Sequence, residues 1–413
     1  MKTHPRSRHA LLACLAALLL AAALPATAAI ETAHAIQAQT EIPEEQLLDV
    51  GIEVFDPGLP EETVPTFKQQ EKGVFTEVRN SEARYIPFHL KDTLQATGHW
   101  GAVRVVPAGM SNVELTVKGQ IIKSNGKNLV LTVQAVDATS KVWFDKRYKG
   151  EADIEAYLPD QLEIADPFQA LYNTIANDLL AARSKLKPGA IETIREVAGL
   201  KFASDLAPDA FADYLETNRK GRQKIERLPA AGDPMVARIA EIRERDYMFV
   251  DTLNEHYAQF CTRMDRPYDD WRAFSYEEQV ALQELRRAAR MRKILGALAI
   301  FGAVIAPVDT GIEAAARDAA IIGGTMAIQS GIAKGKEAKM HAQALRELGV
   351  SFEAEVAPMV IEVKGQTLRL AGSAETQYAS WRELLTEIYA EELGLPVDPN
   401  TGGEITLDQP ATD

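Results

Sequence analysis

The first 28 residues constrain this chain most, because they set the compartment in which everything after them must fold. Lys2, Arg6 and Arg8 give a positive start, Leu11 to Leu24 is almost wholly apolar, Pro25 breaks the run, and Ala26-Thr27-Ala28 supplies small residues at the spacing a signal peptidase reads. These are the three parts of a secretory signal. The pattern predicts cleavage near Ala28, with Ala33-His34-Ala35 as a second site. A membrane anchor is the rival reading, but the apolar run rises only about 21 Å as a helix against a hydrocarbon core of roughly 30 Å. Leu11-Leu12-Ala13-Cys14 has the form of a lipoprotein signal box, yet Cys14 comes early and a long apolar run follows it. Cleavage leaves Cys261 as the one cysteine of the mature chain. The fold is therefore expected to hold by packing, without an internal disulfide, in an oxidising compartment. A single cysteine on a helical stripe reads as a small buried apolar residue.

Charge narrows the partners. The formal net charge of the 413 residues is −14, and removing residues 1–28 takes away three positive charges and no acid, so −14 becomes −17. Such acidity is ill suited to a phosphate backbone, which excludes nucleic acid as the expected partner. It also argues against adsorption of a basic surface to anionic lipid.

Residues 29–46 read as a linker, and residues 47–186 as an α/β domain. Leu48, Val50, Ile52 and Val54 alternate with polar residues and Asp56-Pro57-Gly58 ends the run, which predicts a strand and a turn. Residues 81–97 read as a helix that Pro87 weakens or shortens. Trp100 and Val103 to Val106 form a second short strand closed by Pro107. Val113, Leu115, Val117 and Ile121 then alternate, Asn125-Gly126 predicts a two-residue type I′ turn, and Leu129, Leu131, Val133 and Ala135 carry the chain back. Val142, Trp143, Phe144 and Tyr148 complete a three-strand meander. Asp166-Pro167 predicts a helix start, Asp as N-cap and Pro at the first helical position, with Phe168, Leu171, Tyr172, Ile175 and Leu179 on one face. The expected class is α+β: an antiparallel or mixed sheet with packed helices.

This order resembles the periplasmic domain shared by the curli secretion lipoprotein, the lipoprotein activators of peptidoglycan synthases and the TolB N-terminal domain. The residues that carry the resemblance are Leu48–Asp56, the helix before Gly98-His99-Trp100, Val103-Arg104-Val105-Val106-Pro107, Val117-Lys118-Gly119-Gln120-Ile121 and the stretch from Val133 to Phe144. It covers about residues 47–183. The resemblance implies non-enzymatic assembly or regulation at the outer membrane. The chain departs from the lipoprotein members in lacking a well-placed lipobox.

Residues 187–348 read as a helical domain. Pro208 predicts a short helix containing Phe211, Tyr214 and Leu215, and Asp233-Pro234 a much longer one. Along it Ile239, Ile242, Phe249, Leu253 and Phe260 follow three- and four-residue steps, a pattern of helix pairing. Asp246 and His256 interrupt this seam and read as surface or partner-facing, being about 15 Å apart along a helix. Ser275 and Glu278 suggest a capping box for another helix. Ile294 to Ala306 is apolar, Pro307 to Gly311 a turn, and the second arm of this hairpin (294–335) carries Ala315, Ala319, Gly323, Ala327, Gly331 and Gly335 at four-residue steps. Such a stripe lets two helix backbones approach closely. It suits a packed hairpin inside a helical domain, self-association into a homo-oligomer, or peripheral contact with membrane, as in an oligomeric pore or secretion component. A simple spanning helix is disfavoured by length and by Arg317 and Asp318.

Residues 349–395 read as a ββα module. Gly349 ends a helix, Val360, Ile361, Val363, Leu368 and Leu370 give two strands around Lys364-Gly365, and Glu375 begins a helix with Trp381, Leu384, Leu385, Ile388 and Tyr389 on one side. The strand pair and Gly372 resemble part of a BON domain. Residues 396–413 read as a disordered tail.

No catalytic constellation is legible. There is no Gly-x-Ser-x-Gly elbow, HExxH, Walker loop or Gly-x-Gly-x-x-Gly after a strand. His34, His89, His99, His256 and His341 lack metal-ligand spacing, and Cys261 lacks a second cysteine. No cofactor is expected. The sequence thus favours a periplasmic, outer-membrane-associated protein that works by contact with other envelope proteins; the alternative in another class is an envelope hydrolase whose residues meet only in three dimensions.

Overall fold

The computed structural model describes residues 33–60, 74–110, 112–303, 359–363, 366–370, 374–392 and 406–407. Residues 1–28, read above as a signal, the turn expected from Pro307 to Gly311, the helix end expected at Gly349 and the whole small-residue stripe (Ala315, Ala319, Gly323, Ala327, Gly331 and Gly335) lie outside the described residues.

The alternating residues after Leu47 form β1 (Val50–Glu53), the helical pattern forms α1 (Thr76–Ala96), and β2 (Val103–Val106) follows. Next come β3 (Leu115–Asn125), β4 (Asn128–Asp137) and β5 (Val142–Glu151). They make one five-stranded sheet in the order β2-β1-β3-β4-β5. β1 runs parallel to both β2 and β3, which the crossover through α1 allows, whereas β3, β4 and β5 form the expected antiparallel meander. The sheet is therefore mixed and the α+β class holds.

Pro87 sits inside α1 without ending it. Proline cannot donate to the carbonyl four residues back, and here that carbonyl, on Ala83, accepts the N–H of Phe55 at 2.9 Å. The bond that proline removes from the helix is replaced by one to the chain leaving β1, so the helix runs on and starts earlier than its apolar period suggests.

The helix expected at Asp166-Pro167 begins later, as α3 (Gln169–Arg183). Asp166 forms a turn instead, its carboxylate accepting the Phe168 N–H at 2.8 Å. Between β5 and α3 lie a 3-10 turn (Ile154–Tyr157) and the single-turn α2 (Pro159–Leu162). Phe168, Leu171, Tyr172, Ile175 and Leu179 are all buried against the inner sheet face, where Leu115, Val117, Leu131 and Val133 point.

α4 (Ala190–Leu206) serves two cores. Ile194, Val197 and Ala198 join the sheet core, and Leu200, Phe202, Ala203 and Leu206 join a helical one. Pro208 does open a helix, but α5 (Pro208–Phe211) is one turn long; Tyr214 lies beyond it and Leu215 starts a hairpin of β6 (Leu215–Thr217) and β7 (Gln223–Ile225) that the sequence pattern did not suggest. The longest element is α6 (Pro234–Ala303). It passes through Ser275 and Glu278 without a break, so no helix starts there: with the helix already formed, the Ser275 N–H has a backbone partner and a cap has nothing to satisfy.

The C-terminal strands β8 (Met359–Val363) and β9 (Gln366–Leu370) pair antiparallel as expected, and α7 (Ala374–Glu392) follows. Thr406–Leu407 adds a short strand beside β9. Trp381, Leu384, Leu385, Ile388 and Tyr389 bury against α4 and α6, in the same core as Val78 and Tyr85 of α1.

Candidate functional site

Three of the places that hold the long helix α6 to the rest of the protein carry clusters of polar side chains.

The first is the outer edge of β2. An unpaired edge strand offers N–H and C=O groups to any passing chain. Asn254 answers both at once: its side-chain oxygen accepts the Val105 N–H at 2.8 Å and its Nδ2 donates to the Val105 carbonyl at 2.9 Å. One turn away, Arg104 and Asp251 form a two-pronged ion pair, Nε to Oδ1 at 2.6 Å and Nη2 to Oδ2 at 3.1 Å.

The second is a buried cluster where α1, the tip of the β3–β4 hairpin and α6 meet. Glu82 is fully buried. It accepts hydrogen bonds from Ser124 Oγ at 2.5 Å and Tyr268 OH at 2.7 Å, with Arg79 Nε 3.6 Å away. Burial holds its carboxyl above the ordinary glutamate range, and the Arg79 guanidinium offsets only part of that. Nearby, Arg272 donates to Asp166 Oδ2 at 2.7 Å and also to Asp269, and lies 4.4 Å from the Tyr268 ring centroid. Burial alone would raise Asp166, but Arg272 overrides it and brings the carboxyl below its usual range.

At the same place the hairpin tip touches α6. The turn is one residue further on than the Asn125-Gly126 pair suggests: Asn125 pairs with Asn128, so Gly126 and Lys127 are central. Gly126 is not among the positive-φ residues, so the turn is not type I′. Glycine is required here for a different reason. A Cβ on Gly126 would stand 1.6 Å from the carbonyl oxygen of Arg272 and 2.6 Å from the nitrogen of Tyr276. The Gly126 carbonyl accepts Tyr157 OH at 2.5 Å.

The third place is where α7 docks. Asp246 is not at the surface; it is fully buried. It accepts from Asn112 Nδ2 and Tyr378 OH, both at 3.3 Å, and lies 3.6 Å from Arg382. Burial raises its carboxyl above the ordinary aspartate range, opposed by Arg382. Arg382 also caps the Phe202 ring at 4.7 Å, and Phe249 stacks on Trp381 with ring centroids 5.2 Å apart. The helical seam buries Asp246 because α7 brings the Arg382 cation and the Tyr378 hydroxyl to it and the segment before β3 brings Asn112. His256, ten residues on, is half-buried and takes no part in this cluster. Cys261 is buried as expected, and burial pushes its thiol well above the usual range.

Two cavities accompany these clusters. A trough of about 630 Å³ lies on the outer sheet face, lined by Glu53, Asp56, Lys118, Gln120, Gln134 and Asp145 among others. A more apolar groove of about 520 Å³ runs between α4, α5 and α7, lined by Leu206, Pro208, Met235 and Tyr389. Glu82, Asp166 and Asp246 line neither. Among the described residues no group of three or more His, Cys, Asp or Glu is placed to hold a metal ion, and no helix is long and apolar enough to cross a membrane.

Sequence reading missed Glu82, Arg272 and Asn254. Glu82 carried a weak signal, an arginine three residues earlier on the same helical face. Asn254 carried none, since it acts on a backbone almost 150 residues away. Comparison with family models, with curated proteins and with solved structures gives no match for this chain.

Proposed function

We propose that this is an exported, non-enzymatic protein of the Gram-negative envelope, acting by contact with other envelope proteins at or near the outer membrane. The observation that carries the reading is the asymmetry of the sheet. α6 closes the β2 edge through Asn254 and through Asp251, which pairs with Arg104. β5, at the other end of the strand order, exposes Val142, Asp145, Lys146, Arg147 and Lys149. Among the described residues no strand pairs with its outer side. A strand edge of this kind is a recognised mode of protein docking.

Two further points support the reading. Three buried carboxylates are committed to structural partners: Asp166 to Arg272, Asp246 to Arg382, and Glu82 to Arg79, Ser124 and Tyr268. The order strand, helix, strand, meander, helix is the one on which the resemblance to the curli-secretion, peptidoglycan-synthase-activator and TolB N-terminal group rests, and that group implies assembly rather than catalysis. Fractionation of native cells with N-terminal sequencing tests the proposal. A mature chain beginning near Ala29 in the envelope fraction supports it; an intact Met1 on a cytoplasmic protein overturns it.

A further inference from the structure

We infer that two copies of this chain pair antiparallel along α6, each setting its basic helical stretch against an acid-ringed apolar patch on the other. The inference does not depend on the envelope reading above.

The patch lies between β5 and α3. Ile154, Leu158 and Ile164 are 39%, 54% and 76% exposed. Three large aliphatic side chains left to water within one short stretch mark a surface for a partner more readily than scattered single ones do. The stretch is also acidic. Asp153, Glu155, Asp160 and Glu163 are all exposed and no lysine or arginine occurs from Ala152 to Ala165, while Glu151 just before them is already paired with Lys127 and Lys149. An occupant must therefore combine apolar and cationic side chains.

The patch borders α6. Tyr157 and Tyr276 have ring centroids 6.3 Å apart. The Tyr276 hydroxyl is held above its usual range by burial and then by the charges of Asp153 and Glu155, which places those acids around this turn of the helix. From Tyr276 the helix continues to Ala303, on the order of 40 Å of further helix.

That continuation has the required composition. Arg286, Arg287, Arg290, Arg292 and Lys293 fall within about two turns, among Leu285, Ala288, Ala289 and Met291. The basic stretch is displaced from the chain's own patch by roughly 15–25 Å along the axis. A second copy running antiparallel about a two-fold axis near Gln283 brings Arg290 level with Tyr276 of its mate. The same operation delivers the reciprocal contact, so the pair closes on itself and both patches are covered.

The test is a charge exchange read by sedimentation and native mass measurement. The parent is expected to show twice the monomer mass at micromolar concentration, with dissociation favoured by high salt. Asp160→Lys with Glu163→Lys, and separately Arg287→Glu with Arg290→Glu, are each expected to weaken the dimer at least tenfold. Mixing the two variants in equal amounts should restore it, because both heterologous contacts again pair opposite charges. Leu158→Ser with Ile164→Ser should weaken it without restoration by either. Zero-length cross-linking of light and isotopically heavy parent protein gives an independent reading if a variant does not fold: a carboxylate of residues 151–163 joined to Lys293 of the other copy is expected. A parent that stays monomeric, a dimer indifferent to both charge reversals, a mixture that does not reassemble, or cross-links confined to one copy overturns the inference.

Discussion

The backbone of Gly126, at the tip of the β3–β4 hairpin, lies directly against the carbonyl of Arg272 on the long helix, with no room for a single methyl group between them. Sheet and helix are thus joined at a point where only glycine fits, and the Glu82 and Asp166–Arg272 interactions are built around that point. Gly126→Ala is expected to cost at least about 3 kcal/mol, above the usual overpacking range because the obstacle is helix backbone and not a movable side chain. Thermal unfolding checks this. An unchanged melting temperature would mean that hairpin and helix are not in contact.

Asn254→Ala leaves the N–H and C=O of Val105 without their partners. Each unsatisfied group costs about 1–3 kcal/mol unless water reaches it. A fall in stability together with faster hydrogen exchange at Val105 is the expected outcome. Asn254→Leu should behave no better, because it fills space but bonds neither group. If Val105 exchange is unaltered in both variants, the edge is protected by something other than Asn254.

How much of this was legible beforehand differs by scale. The meander, α3 and the helix starting at Pro234 could be read from periodicity, because side-chain burial follows a local repeat. Gly126 was recognisable as a turn residue, but its reason was not, since the close approach involves a helix 146 residues later in the chain. Asp246 looked like a solvent-facing interruption of an apolar seam because the groups that neutralise it, Asn112, Tyr378 and Arg382, come from two distant segments. A propensity for capping drew Asp166 into a helix start, whereas Arg272 holds it in the turn before one.

Glu82 and Asp166 should respond to pH with opposite signs. The folded-state pKa of Glu82 is raised above its reference of 4.5, so the folded state holds the proton more tightly and this group's contribution falls as pH rises above about that value. Asp166 is lowered from 3.8, so its contribution is present above that pH and is lost as pH drops below it. Glu82→Gln, measured against the parent by chemical denaturation, is expected to become relatively more stable from pH 5 upward. A stability difference independent of pH would show that Glu82 titrates alike in the folded and unfolded chain.

Removing Arg272 leaves Asp166 buried without its cation, whereas removing Asp166 leaves Arg272 still paired with Asp269. Arg272→Met is expected to cost about 3–5 kcal/mol and Asp166→Asn less, while the double variant should lose clearly less than the sum. Strict additivity in the double-mutant cycle would remove this pair from the account of how α6 is held.

The central claim, that the chain works by contact through its open sheet edge, is tested most directly by a photo-reactive amino acid at position 147 in native cells. Arg147 is exposed on β5, and Glu192, exposed on α4, serves as the control position. The account predicts a discrete adduct from position 147 to another envelope protein, with none from position 192. An envelope fraction in which position 147 yields no adduct, or the same adducts as position 192, contradicts it.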